Sequence, residues 1–190
     1  MIDFSADIQQ CLTVLSNGGI ILYPTDTIWG IGCDATNPDA VNKIYKLKRR
    51  AEEKSMIVLL ADERDIIRYV TQPDLQVFDF LQQATKPTTV IYEGAVELAD
   101  NCINKDGSIA IRITSDLFCK TLIKRFRKPI ISTSANLAGY PSPQHFQDIS
   151  SEIKNGADYI VQHRQNDLTP TAPSAIIKWN KDGSHLVIRS

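Results

Sequence analysis

Between Gly18 and Asp34 the chain reads Gly-Gly-Ile-Ile-Leu-Tyr-Pro-Thr-Asp-Thr-Ile-Trp-Gly-Ile-Gly-Cys-Asp, and this stretch constrains the fold more than any other. The apolar run from Ile20 to Tyr23 has the form of a buried strand. Pro24 then removes a backbone donor and stops the ladder. Two hydroxyls flanking a carboxylate follow, Thr25, Asp26 and Thr27. Behind them Gly30 and Gly32 let the backbone bend or approach another group closely. Small polar side chains at the end of a buried strand lie where open α/β sheets bind ligands. Ordinary turn chemistry explains the same residue types equally well, so the remainder of the chain has to decide.

The elements around this strand alternate without strict order. Ser5 is expected to cap a first helix with Ile8, Leu12 and Leu15 on one face, closed by Asn17-Gly18. Asn37-Pro38 opens a second helix, with Val41, Ile44 and Leu47 as its stripe. Strands are expected at Met56 to Ala61, Thr88 to Tyr92, Ser108 to Ile113 and Pro129 to Ser132. Three more follow at Tyr159 to Val161, Ser174 to Trp179 and His185 to Ile188, the last two joined across Lys181-Asp182-Gly183. Short helices start at Asp62 (Ile66, Ile67, Val70) and at Pro73-Asp74 (Leu75, Phe78, Leu81). A longer one starts at Ser115-Asp116 and shows a basic outer face from Lys120 to Lys128. Ser142-Pro143 opens a helix with Phe146, Ile149 and Ile153, ended by Asn155-Gly156. Mixed strands and helices of this kind predict an α/β fold with a mixed sheet. The length of 190 residues suits a single domain over 1–190.

The composition narrows the function. The net charge of −1 gives no global field toward nucleic acid or membrane. No apolar run approaches the ~20 residues of a membrane span, and the first residues lack a signal-peptide pattern. Cys11, Cys33, Cys102 and Cys119 form no metal spacing and no disulfide framework, so they read as reduced thiols of a cytoplasmic protein. There is no phosphate-cradling G-x-x-x-x-G-K loop, no dinucleotide fingerprint, no H-E-x-x-H and no nucleophile elbow. His145, His163 and His185 are scattered, with no nucleophile or carboxylate at suggestive spacing. Dehydrogenase, metalloprotease and triad-hydrolase chemistry are therefore disfavoured.

Two clusters and two single residues remain. Lys43, Lys46, Lys48, Arg49, Arg50 and Lys54 crowd the end of the second helix, where cations meet the helix dipole in any case. On a continuing helix Lys48 and Arg50 would point to nearly opposite sides. If the helix ends near Leu47, both can face one site, where a mobile ammonium beside a planar fork suits a polyphosphate. Thr133-Ser134-Ala135-Asn136 offers hydroxyls and an amide at a strand end, either as a capped turn or as donors to phosphate or carboxyl. Ser142 is an N-cap and, at a helix start, also fits an anion site. Arg112 lies inside a strand and is costly to bury alone, so it pairs with a carboxylate or grips an anionic ligand.

Taken in order, Tyr23-Pro24-Thr25-Asp26-Thr27 with Gly30-x-Gly32, the K-x-R of Lys48 and Arg50, and the S-x-N of Ser134 and Asn136 closely resemble the YrdC/TsaC family. The segment Gly139-Tyr140-Pro141-Ser142-Pro143 extends the likeness, which covers roughly Leu12 to Arg189. The resemblance implies a large twisted mixed sheet flanked by helices around a deep, positively charged cavity. It implies synthesis of threonylcarbamoyl-AMP from L-threonine, bicarbonate and ATP, with release of pyrophosphate. Mg²⁺ would be the cofactor, held mainly through the ATP phosphates. Partner proteins downstream would pass the threonylcarbamoyl group to tRNA.

By the same resemblance Lys48, Arg50 and Lys54 lie along the phosphates, with Ser108, Ser134, Asn136, Ser142 and Arg189 completing the nucleotide site. Lys48, Arg50, Ser134 and Asn136 form its catalytic set. Thr25, Thr27, Arg112, Ser132 and Ser174 hold threonine, Arg112 through the carboxylate. Asp26 is either a metal or amine contact or a turn residue. The chain departs from the family at Thr85-Lys86-Pro87, where Pro-Gly-Pro is usual, and at Thr114, where proline is usual. The alternative function is double-stranded RNA or ribosome binding through the cavity rim and the Lys120–Lys128 face.

Overall fold

The computed structural model describes residues 3–50, 56–180 and 182–190. Among these, nine strands form one mixed sheet in the order β7-β1-β2-β6-β3-β5-β4-β8-β9. In chain order they are β1 (Ile21–Tyr23), β2 (Gly30–Gly32), β3 (Ile57–Leu60), β4 (Thr88–Tyr92) and β5 (Ile109–Ile113). β6 (Ile130–Ser134), β7 (Tyr159–Ile160), β8 (Ala175–Trp179) and β9 (His185–Arg189) complete the set. The β1–β7, β3–β5 and β4–β8 pairs are parallel and the others antiparallel. Among the described residues five α-helices flank the sheet: α1 (Ser5–Ser16), α2 (Pro38–Lys48), α3 (Gln76–Gln83), α4 (Leu117–Phe126) and α5 (Ser151–Gly156).

Strand alternation sorts the core onto two faces. Ile21, Tyr23, Leu59 and Ile130 pack with Ile8, Leu15, Phe118 and Leu122 of α1 and α4. Their sequence neighbours Leu22, Val58, Leu60 and Ile131 point the other way, joining Val41 and Ile44 of α2. Farther along β3, β4, β5 and β6 the first face is not covered by α1 and α4. There the inward positions change from aliphatic to polar, and this uncovered half carries the site.

The local signals account for most element ends. The Asn37 side chain accepts from the amides of Asp39 and Ala40 ahead of α2. Asp62 caps a 3₁₀ turn over Glu63–Arg68, and Asp116 caps α4 through the Cys119 amide. Four expectations need correction. Ser5 is not a cap, because the Asp3 carboxylate accepts from the Ser5 amide instead. α3 buries Val77, not Leu75, which is 65% exposed. β6 runs on to Ser134, since Thr133 and Ser134 pair with Ile31 and Gly30 of β2. No helix starts at Ser142-Pro143: the chain stays irregular until a 3₁₀ turn at Phe146–Asp148, and Ser150 caps α5. A proline fixes φ but supplies none of the apolar spacing a helix needs, and only Ile153 of α5 is buried.

Gly32 is required by close approach. A Cβ there would lie 2.5 Å from the Ile131 carbonyl oxygen and 2.7 Å from the Tyr23 ring. Backbone cannot yield as a flexible side chain does, so Gly32→Ala should lower the unfolding free energy by about 2 kcal/mol. Urea denaturation of the two proteins measures it; an unchanged midpoint would contradict the packing described.

Candidate active site

A cavity of about 250 Å³ opens on the uncovered half of the sheet, and its lining includes Thr27, Gly30, Arg50, Arg112, Ser132, Ser134, Ser142, Ser174 and Arg189. Ile57, Ala110 and Ile91 lie side by side across β3, β5 and β4 as its apolar floor. Period two explains the polar floor as well. Arg112 follows Ala110 by two, Ser132 and Ser134 follow Ile130, and all share the inward face. Among the described lining residues there are three guanidiniums and no carboxylate.

The turn after β1 is held from outside. Asp26 Oδ2 accepts from the Ser115 amide (3.0 Å) and hydroxyl (3.3 Å), and Arg164 donates to the Thr25 carbonyl (3.1 Å). Within it a directed chain of hydrogen bonds runs back from Arg112. Thr25 Oγ1 donates to the Ile28 carbonyl at 2.8 Å, which uses its single proton. Thr27 Oγ1, 2.9 Å away, must then be the donor between the two hydroxyls. Arg112 Nη1 donates to that same Thr27 oxygen at 3.0 Å. Thr27 therefore keeps one lone pair and no proton for the cavity, and it would greet an amine or hydroxyl donor.

Arg112 is 4% exposed, and its Nη2 lies 3.3 Å from Asp26 Oδ1. That is ion-pair distance without hydrogen-bond geometry, so Nε and Nη2 of Arg112 and Oδ1 of Asp26 are buried without hydrogen-bond partners. Two orphaned donors on one guanidinium edge match a carboxylate. Thr89 of β4, paired in register with Arg112, shares a 2.8 Å hydrogen bond with Ser174 Oγ. Arg189 Nε donates to the Ser174 carbonyl at 2.9 Å. Burial first, and then the Arg112 charge, lowers the pKa of Arg189; burial likewise lowers that of Arg50. Like charges held this closely favour an anion between them.

Several expected residues stand back from the cavity. Lys48 is 1% exposed and donates to the Ser134 and Asn136 carbonyls, the second at 2.5 Å. Burial, and next the Arg50 charge, pull its pKa down to about 7. The Asn136 amide donates to the carbonyls of Leu137 (3.0 Å) and Tyr140 (2.6 Å). Ser108 donates to Asp106 Oδ1 and accepts from Asn104, in the turn ahead of β5. Thr25 sits behind Thr27. Lys54 lies outside the described residues. Thr89, which the sequence reading missed, was detectable: it lies two before Ile91 on the inward face. All four cysteines are free and buried, and burial pushes the Cys11 and Cys102 thiols up to about 12.

Among the described residues no helix is long and apolar enough to cross a membrane, and no group of histidine, cysteine or acidic side chains could hold a metal ion. Threonylcarbamoyl-AMP synthase of Photobacterium profundum is 32% identical over 159 residues, covering 82% of this chain and 86% of that protein. The protein of the same name from Hahella chejuensis is 32% identical over 163 residues, covering 85% and 89%. In the solved structures, P. abyssi Sua5 complexed with L-threonine matches with a TM-score of 0.86 at 18% identity, over 100% of this chain and 55% of that one. E. coli YciO matches with a TM-score of 0.83 at 20% identity, over 97% and 89%. The chain thus spans about half the length of the P. abyssi protein, and at such identities the structures speak for the fold alone. A family model described as telomere recombination matches residues 13–190. With that match spanning the whole sheet and every residue of the cavity, the chain belongs to the Sua5/YciO/YrdC family.

Proposed function

We propose that this protein is an L-threonylcarbamoyladenylate synthase, joining L-threonine, bicarbonate and ATP into threonylcarbamoyl-AMP and pyrophosphate for tRNA modification. The observation that carries this reading is the pair of orphaned donors on buried Arg112 beside Thr27. Arg112 would take the threonine carboxylate on Nε and Nη2. The free lone pair of Thr27 would accept from the amine or hydroxyl, and Ser132 and Ser174 flank the same floor. The amine, once deprotonated, attacks carbon dioxide and releases a proton, or attacks bicarbonate with loss of water, and either route gives the carbamate. The carbamate oxygen then attacks the α-phosphorus, and pyrophosphate leaves.

This step brings an anion onto a polyanion and needs no protein nucleophile, so its demands are alignment and charge neutralisation. Arg50 and Arg189 supply fixed positive charge at the wall, with Ser134 and Ser142 as small donors. Mg²⁺ would add charge and polarise the phosphates when it arrives with ATP. The described lining residues offer it hydroxyl oxygens and no carboxylate, which suits a metal held mainly by phosphate oxygens. A volume of about 250 Å³ is small for a whole nucleotide. It can enclose threonine and the reacting phosphate while adenosine extends toward Ile188 and Arg189 at the mouth.

The test mixes purified protein with ATP, Mg²⁺, bicarbonate and threonine and follows pyrophosphate and the adenylate. Pyrophosphate release that depends on threonine is expected; release that ignores threonine, or none, would overturn the reading. The RNA-binding alternative has one feature in its favour, a cleft of about 340 Å³ lined by Arg68, Lys124, Arg127 and Lys128. Salt-sensitive RNA binding without turnover would put it first.

A further inference from the structure

The two signature motifs divide in an unexpected way. Arg50 and Ser134 line the cavity, whereas Lys48 and Asn136 do not. Lys48 reaches the segment 134–138 three times: its ammonium donates to the Ser134 and Asn136 carbonyls, and its own carbonyl accepts from the Ala138 amide at 2.8 Å. The Asn136 amide spends both of its donors on the Leu137 and Tyr140 carbonyls. After Ser134 this segment has no strand or helix to satisfy its backbone until well past Tyr140. The Ser134 and Leu137 carbonyls also accept from the Asn136 and Tyr140 backbone amides (2.9 and 3.2 Å), whereas those of Asn136 and Tyr140 are matched by the Lys48 and Asn136 side chains.

An ammonium gripping phosphate needs its donors free toward the ligand, and two of the three on Lys48 are spent on carbonyls. We propose that Lys48 and Asn136 are positioning residues: a buried ammonium and a carboxamide brace the 134–140 loop from behind, so that Ser134 and Arg50 meet an anionic ligand already in place. Lys48 closes the end of α2 onto the loop, and Asn136 closes the loop on itself. This assigns phosphate contact to Arg50 and the loop's own donors. It rests on the synthase reading only for the nature of the anion.

The experiment reads the loop and the ligand separately. Amide hydrogen exchange is measured on ligand-free protein, and ATP affinity by calorimetry, for Lys48→Met, Asn136→Ala, the double variant and Arg50→Met. Lys48→Met and Asn136→Ala are each expected to speed exchange at the Asn136 and Ala138 amides at least tenfold, since local opening then competes with the native loop. The Ile131 amide, bonded to the Cys33 carbonyl in the core, should be unaffected. Both variants should weaken ATP binding, and the double variant no more than the worse single one, because both release the same loop. Arg50→Met should weaken ATP with loop exchange unchanged.

Should Lys48→Met fail to fold, Lys48→Gln keeps two N–H donors one atom nearer the backbone and carries no charge. It should retain loop protection to within a few-fold. Weak ATP binding with loop exchange at the native rate, or additive losses in the double variant, would make Lys48 a direct phosphate ligand and overturn the brace. If native protein binds no ATP, the synthase reading fails, while the exchange rates still judge the brace.

Discussion

Arg112→Met should abolish threonine-dependent pyrophosphate release at ordinary threonine concentrations, raising the KM for threonine by at least about 100-fold. Hydrogen bonds to charged groups contribute about 1.5–3 kcal/mol each, and two such bonds to the substrate carboxylate would be lost. That sum corresponds to roughly two to four powers of ten. The same change removes the charge facing Asp26, whose side chain is only 9% exposed. An unpaired buried carboxylate costs several kcal/mol, so the single variant loses stability as well as affinity. Arg112→Met with Asp26→Asn separates the two effects. The double variant is expected to regain most of the thermal stability and none of the threonine affinity. Arg112→Lys should not rescue binding, because an ammonium cannot present two parallel donors to one carboxylate. Steady-state kinetics with threonine varied decides it; an unchanged KM would remove Arg112 from the threonine site.

Two kinds of information in the sequence foretold this site unequally. Wherever a strand carries its own alternation, the inward residues are readable. Ala110 and Arg112 oppose Ile109, Ile111 and Ile113, and the structure turns the first pair to the cavity, while Ser108 stays in the turn ahead of β5. The Asn37-Pro38 cap is equally local and was legible, whereas the end of α2 entered only as a condition, which the structure meets at Lys48. What sequence could not supply was which half of a sheet face the helices leave open. Thr89, Ile57 and Ile176 look like core positions until α1 and α4 are seen to cover Ile21, Leu59 and Ile130 instead. Nor could spacing tell a side chain that meets ligand from one that holds the wall. Lys48 and Arg50 share a motif, yet one is buried beneath carbonyls and the other lines the cavity. Ser142 shows the reverse failure: its helix is absent, but it reaches the cavity from irregular chain. Asp26, left open by the sequence, serves both the turn through Ser115 and the charge of Arg112.

Arg50→Met should lower kcat/KM for ATP by about a thousandfold, the second of the large effects, with the fold intact. The placement of this guanidinium is backbone work. α2 ends at Lys48, Arg49 adopts a left-handed conformation (φ 50°), and the Arg50 amide donates to the Tyr45 carbonyl at 2.9 Å. That bond is the wide closure of a helix C-terminus, and it turns the chain so that Arg50 no longer follows the helix. Its side chain then enters the cavity wall beside Ser134. Removing one electrostatic donor from a preorganised site commonly costs about 10²–10³ in rate, and here ground-state phosphate binding is lost in addition. Burial holds the Arg50 pKa below its ordinary value, and thermal unfolding of Arg50→Met, measured beside its kinetics, separates the loss of charge from any loss of fold. The neighbouring cation provides the control. Arg49 is exposed and pairs with Glu152 on the surface, so Arg49→Gly loses a weak ion pair and relieves the left-handed strain. Its turnover should match that of the unsubstituted protein. Equal losses from Arg49→Gly and Arg50→Met would mean that the shape of the helix end, and not the Arg50 charge, sets the rate.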